Sequence, residues 1–272
     1  MSRFRLTETV VFMTEIGSRA NEKIKYAVRL GESASLRKEK KEFFLEGARL
    51  CRDAAENGIK IRQAFFTANA REKYSGYVGA VENVCGECYT VTPDVAGKLS
   101  GTKTAQGVFC ICEMPADNGK IDYSGRYTAL ENLQDPSNLG AVCRTAEALG
   151  LDGVIVSGGC DIYNPKALRA AMGSSLRINI IETDRLETLI EQANAAGMLT
   201  LASTPQADAE KIDCIKTDGG VICCVGNEGN GLSDSVIAAC RKKVTIPMRG
   251  RAESLNASAA AAILMWEISR KG

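Results

Sequence analysis

Apolar and polar positions along this chain keep two alternating rhythms. From Arg126 onward, short apolar runs rich in β-branched residues alternate with stretches in which apolar side chains return every three or four positions. YTALEN, DGVIVS, RINII, MLTLAS, GVICCVG and KVTIP read as strands. SNLGAVCRTAEALG, NPKALRAAMG, DRLETLIEQANAAG and LSDSVIAAC read as helices, and a long helix follows the last strand. Such alternation predicts a mostly parallel sheet covered on both faces, with ligands held beyond the strand C-terminal ends. The loops after Ala202, Val225 and Ile246 are therefore where a site is expected.

The first part of the chain repeats the scheme on a smaller scale. Residues 18–41 read as helical and basic, and FFLEG then opens a compact alternation. GARLCRDAAEN is a helix stopped by Asn-Gly, IRQAFFT a strand, NAREKYSGYVGAVEN helical, CYTV a strand, DVAGKL a short helix and GVFCICEM a strand. Between the two parts, ADNGKIDYSG is polar, turn-rich and without apolar period, as a linker would be. The expected organisation is α/β throughout: a smaller domain over 1–114, a linker over 115–126 and a larger domain over 127–272.

Composition narrows the chemistry. Hydrophobic residues at 45% and charged residues at 25% fit a soluble globular protein of one large or two ordinary domains. The early run VVFM is too short for a signal peptide, and AAAAILMW falls short of the roughly 18 apolar residues a membrane span needs. Eleven Cys without a regular framework are expected to stay reduced, in a cytoplasmic protein. The chain has no His, which excludes Ser-His-Asp and Cys-His catalysis, His-ligated zinc and His general bases. Net charge is +1, yet residues 1–41 carry ten Lys/Arg against five Asp/Glu. That basic stretch either meets phosphates or is a solvated helical face. Cys85-x-x-Cys88 with Cys110 and Cys112 has poor spacing for zinc, so no metal is expected; Cys223 and Cys224 fall in a strand and read as core.

Three stretches carry the candidate chemistry. In DPSNLGAVCRTAEALG, Asp135-Pro136-Ser137 signals a helix start, and Leu139, Val142, Ala146 and Leu149 form the core stripe. At roughly 100° per residue, Arg144 lies opposite that stripe. It is either an ordinary exposed Arg or one placed at a cleft or subunit boundary, with Asn138 either capping the helix or standing beside it. In VICCVGNEGNGLSD a strand runs through three glycines into a helix, matching neither a dinucleotide fingerprint nor a P-loop. Glu228 there is either a charge favoured by the helix dipole or an acid with a task. In IPMRGRAESLNASAAAAILMWEI the expected buried stripe is Leu255, Ala259, Ala262, Ile263 and Trp266, with Glu253 or Ser254 starting the helix. Ser254, Asn256, Ser258 and Ala260 are compact enough to let another backbone approach.

Taken together and in this order, NLGAVCRTA, GNEGNGLS and IPMRGRAESLNASAAAAI resemble the three motifs of the SpoU-type (TrmH-like) RNA 2′-O-methyltransferases. FFLEGARL and GTKTAQGVFC extend the resemblance to that family's substrate-binding domain. The resemblance implies that the C-terminal segment passes through a loop to make a deep trefoil knot, which gives the small residues after Leu255 a reason. It implies S-adenosylmethionine as cofactor, touching Gly226, Ile246, Met248, Leu255 and Asn256, with Ser203 nearby. It implies a homodimer acting on RNA, not DNA, with ribosomal RNA ahead of transfer RNA by analogy. It places the catalytic role on Arg144; Asn138 is then expected to hold that Arg or the ribose, and Glu228, Ser254 and Asn256 to shape the acceptor site. The N-terminal domain would position RNA through phosphates, and Tyr74, Tyr77 and Phe109 are each either base-stacking rings or core. A transfer-RNA methyltransferase or a non-catalytic RNA-binding protein on the same fold are the rival readings. A doubly wound hydrolase is disfavoured by the missing His and the missing G-x-S-x-G elbow.

Overall fold

The computed structural model describes residues 14–102, 104–115, 119–252 and 254–270. Its contacts group into two compact units, one of residues up to Leu30 with Phe44–Glu113, the other of Gly31–Phe43 with everything from Met114.

The first elements in chain order are β1 (Thr14–Ile16), α1 (Glu22–Glu32), α2 (Ala34–Lys40), β2 (Glu42–Glu46), α3 (Ala48–Glu56) and β3 (Ile61–Phe66). They are followed by α4 (Ala68–Lys73), α5 (Ser75–Glu82), β4 (Glu87–Val91), α6 (Pro93–Leu99) and β5 (Val108–Glu113). The five strands form one sheet in the order β1-β4-β3-β5-β2. Within it β3 runs parallel to β4 and antiparallel to β5. Glu46, at the end of β2, is buried and gathers the turn after α6, accepting from the Ser100 and Thr102 hydroxyls and from Gly101 N–H.

The basic stretch read as one helix over 18–41 is two helices, parted where the Ser33 hydroxyl caps α2 by accepting Leu36 N–H at 3.2 Å. Nor are all its cations solvated. Arg37 is 1% exposed, donates Nε to Asp161 Oδ2 at 2.6 Å and Nη1 to Gly31 O at 3.0 Å, and so ties α2 into the second unit.

The second unit continues with β6 (Arg126–Glu131), α7 (Pro136–Ala148), β7 (Gly153–Ser157), α8 (Pro165–Ala171), β8 (Ile180–Glu182) and α9 (Leu186–Ala195). Then come β9 (Leu199–Ser203), β10 (Glu210–Lys211), β11 (Val221–Val225), α10 (Asp234–Ala239), β12 (Lys242–Thr245) and α11 (Ala257–Ser269). Seven strands lie in the order β10-β12-β9-β11-β6-β7-β8, every pair parallel. Both faces are covered, as continuous apolar strands require. Val221, Cys223 and Val225 of β11 face one core with α7, α8 and α11; Ile222 and Cys224 face another with α9 and α10. Chain order breaks where β11 inserts between β9 and β6, the kind of switch point at which open parallel sheets bind ligands.

The expected stripe of α11 is corrected. Ala257, Ala261, Leu264, Met265 and Ile268 are buried, whereas Ile263 and Trp266 are 40% and 55% exposed. The helix is apolar nearly all round, so spacing alone does not pick the inward face. Its cap is Asn256, whose side chain accepts Ser258 N–H and Ala259 N–H, not Ser254; Glu253 lies outside the described residues.

Gly140 sets how closely α7 meets α8. A Cβ there would stand 2.4 Å from Ala167 O, 2.6 Å from Ala170 Cβ and 2.8 Å from Ala171 N. Helix propensity alone favours Ala over Gly by about 1 kcal/mol, but overpacking against backbone costs about 1–3 kcal/mol. Gly140→Ala should therefore not stabilise the protein, the net change being a loss of up to about 2 kcal/mol; a urea midpoint raised by the full helix-propensity gain would show that the two helices are not in this close contact.

Candidate active site at the exits of parallel strands

The loops leaving β9, β11 and β12 enclose a cavity of about 560 Å³. Ser203, Gly226, Ile246, Met248 and Leu255, five of the six residues expected to touch a cofactor, line it, and so do Glu228 and Ser254. Asn256 is not in its wall. Thr204, Pro205 and Gln206 also line it, which the sequence did not single out beyond Ser203. The loop after β11 folds back on itself: Asn227 and Gly231 exchange both backbone hydrogen bonds at 3.0 Å. This turn passes so near Gly226 that a Cβ there would lie 2.1 Å from Gly231 C and 2.2 Å from Leu232 N. Only glycine fits.

Beside the cavity, three side chains from distant segments meet. Asn138, in the first turn of α7 and 8% exposed, donates Nδ2 to Glu228 Oε1 at 2.8 Å. Its Oδ1 accepts from Asn256 Nδ2 at 3.2 Å. Asn138 is not the helix cap; Asp135 is, accepting Ser137 N–H at 2.9 Å. Glu228 is not a dipole charge for α10, whose cap is Ser233; its second oxygen accepts Gln134 N–H at 3.2 Å. Burial alone would raise the Glu228 carboxyl, but the Asn138 amide and backbone N–H groups, that of Gln134 among them, outweigh it and hold it below the ordinary glutamate value. The neighbouring loop is pinned by Asn227 Nδ2 donating to Asn132 O at 2.8 Å, and by Ser233 donating N–H and hydroxyl to Glu131. Gln134 and Asn227 act through or upon the backbone, so no side-chain pattern announced them.

Arg144 stands apart from this cluster. It is exposed, six residues beyond Asn138 on α7, about 9 Å further along the axis and on another side of the helix. Among the described residues its side chain has no hydrogen-bond or ion-pair partner. Among them, too, no group of three or more Cys, Asp or Glu is placed to hold a metal, and no helix is long and apolar enough to cross a membrane. Phe109 is fully buried, whereas Tyr74 and Tyr77 are half-buried.

A parallel α/β sheet with a cavity at a glycine-rich strand exit, and an amide–carboxylate cluster at its rim, is the setting in which open parallel sheets hold a small ligand. The particular family follows from comparison. The SpoU rRNA Methylase family matches residues 126–266, and the MRM3-like substrate binding domain matches residues 21–110. The chain belongs to the SpoU rRNA methylase family. It is 28% identical over 257 residues to the 23S rRNA (guanosine(2553)-2′-O)-methyltransferase RlmP of Bacillus subtilis, covering 94% of this chain and 99% of that one. It is 29% identical to a 23S rRNA (uridine(2479)-2′-O)-methyltransferase of Streptomyces viridochromogenes, covering 85% and 83%. An AdoMet-bound rRNA methyltransferase from Sinorhizobium meliloti superposes with a TM-score of 0.85 at 28% identity, covering 95% of this chain and 98% of its own. The AdoMet complex of the SpoU methyltransferase AviRb from Streptomyces viridochromogenes gives 0.82 at 26% identity, covering 92% and 98%.

A depressed folded-state pKa means that Glu228 contributes stability above its unfolded value, near about 4.3, and loses it as pH falls through the lowered folded value. Glu228→Gln should thus be less stable than the unaltered protein at neutral pH, by less than about 1 kcal/mol because the group is exposed. The gap should shrink below about pH 4. A urea series over pH that finds a constant gap would remove the carboxylate from this role.

Proposed function

We propose that this chain transfers a methyl group from S-adenosylmethionine to a ribose 2′-hydroxyl of ribosomal RNA. The observation that carries the reading is Asn138, whose one amide binds both Glu228 and Asn256 at the rim of the cavity. The cavity suits the donor: about 560 Å³ is within the size range of cofactor pockets, and its lining combines apolar Ile246, Met248 and Leu255 with polar Thr204, Gln206 and Asn227. Gly226, Ser203, Ile246, Met248 and Leu255 would hold it, with Asn256 fixing the mouth, and the segment after β12 would thread a neighbouring loop to close the knot. When bound, the donor supplies a methyl on a positively charged sulfur.

The remaining work falls to the chain's own groups. Alignment of the acceptor carries much of the barrier reduction. Asn138 and Glu228, each held by the other, would orient the ribose, with Ser254 and Asn256 shaping its surroundings. The hydroxyl proton has no obvious taker. The chain has no His, both Glu228 carboxylate oxygens are already engaged by Asn138 Nδ2 and Gln134 N–H, and a guanidinium keeps its proton. The RNA phosphate next to the 2′-oxygen, or water, therefore takes it, while Arg144 grips that phosphate and offsets the growing negative charge.

The position of Arg144 favours a second copy completing the site. Ile263 and Trp266, one turn apart on α11, are large apolar side chains left at the surface, and α11 packs on α7, which carries Arg144. We take these as the face a partner copy covers. A ribosomal substrate supports a cytoplasmic location.

Calorimetry should detect S-adenosylmethionine binding to the unaltered chain, and Arg144→Lys should keep that affinity while losing about 100-fold in methyl transfer to ribosomal RNA, because Lys lacks the planar fork. Near-normal turnover would take Arg144 out of the reaction; no heat of binding would favour a non-catalytic RNA-binding protein. Trp266→Glu should turn a dimer into a monomer in light scattering, and a unaltered protein already monomeric at micromolar concentration would end the shared-site proposal.

A further inference from the structure

Helices α3, α4 and α5 of the first unit build a column of rings and cations at the surface. The rings of Tyr74 and Tyr77 stack with centroids 6.3 Å apart and planes 6° apart. The Arg52 guanidinium lies over Tyr77 at 4.5 Å, and the Lys73 ammonium over Tyr74 at 5.4 Å. Neither tyrosine is in the core; both are half-buried, and among the described residues neither hydroxyl has a hydrogen-bond partner.

The two ends of the column differ. Arg52 is fixed by Asp53 at 3.1 Å and Glu56 at 3.3 Å, so its charge is largely spent and it acts as a wall. Lys73 is exposed and has no carboxylate partner among the described residues. Arg49, one helical turn before Arg52, is likewise exposed and unpaired there. The column thus offers an aromatic surface with two uncompensated cations, the combination that binds single strands by stacking bases and pairing phosphates. A duplex hides its base faces and gains only the phosphate contacts of such a surface, not the stacking.

We propose that Tyr74, backed by Tyr77, receives an unstacked base of a single-stranded RNA segment in the place over its ring that the Lys73 ammonium occupies, Lys73 swinging outward so that it and Arg49 meet the flanking phosphates. This rests on the reading of the chain as an RNA methyltransferase and names how its first unit holds the substrate.

The test is fluorescence anisotropy of the full chain with a labelled oligoadenylate of about ten nucleotides, long enough for one such surface. Tyr74→Ala should weaken binding about tenfold, Tyr74→Trp should keep or strengthen it, and Lys73→Gln should weaken it less while lowering the salt dependence by about one phosphate contact. Binding of a duplex RNA of the same length should be unchanged in both Tyr74 variants, which alter only stacking. Equal affinities for Tyr74→Ala and Tyr74→Trp, an equal loss on duplex RNA, or no binding of the oligoadenylate by the unaltered protein would each overturn the proposal. Lys73 is exposed, so its variant keeps the test decisive should Tyr74→Ala unfold. Methyl transfer by the unaltered protein to ribosomal RNA, assayed alongside, separates the outcomes: its absence sinks the enzymatic reading, whereas altered stacking with intact transfer bears on this surface alone.

Discussion

A buried amide must spend both its donor and its acceptor, and in this protein that requirement fixes the site. Asn138 is 8% exposed, and its two partners lie 90 and 118 positions further along the chain. Leaving one end of such a group unpaired costs about 1–3 kcal/mol, a sizeable share of the net stability of a domain. The pairing is possible only because β6 and β11 are neighbours in the sheet, so that their exits open side by side. It also needs the loop after β11 to turn tightly enough to bring Glu228 back, which the bare Cα of Gly226 permits. The fold is thus specified in part by one side chain that only the finished topology can satisfy.

The sheet supplies the rigidity behind this. β11 alternates its side chains between two cores, so a slip of one residue would exchange every contact on both faces at once. The loops at its C-terminal end inherit that fixed register. They can then be short of charged ligands and still define a cavity, because their backbone cannot drift.

Much of this was legible in the residues, for physical reasons that vary by element. β6, β7, β9 and β11 were readable because strands buried on both faces are continuous apolar runs. α7 was readable because its cap, its Pro and its stripe agree with one another. α11 was misread for the opposite reason: an apolar side chain stands on nearly every side, and what selects the inward face is the position of α7, which spacing does not encode. β1 and β10 were invisible because strands of three and two residues are made by their neighbours' edges. Of the site, the candidate residues came from motif resemblance; local spacing left Asn138 open as a cap and Glu228 as a dipole charge, and both alternatives fall because Asp135 caps α7 and Ser233 caps α10 while the two side chains bond each other. Gln134 and Asn227 escaped because a backbone N–H or a carbonyl is the same in every residue.

Asn256 holds two posts with one side chain. Its carbonyl oxygen closes the first turn of α11 while its nitrogen reaches Asn138. Any ligand that steadies the cavity mouth therefore also suppresses fraying at the start of the last helix, and by thermodynamic linkage any strain that unwinds that turn loosens the ligand. A ligand that held Asn256 would couple occupancy to helical order, and amide exchange in the opening turn of α11 would then report how full the pocket is.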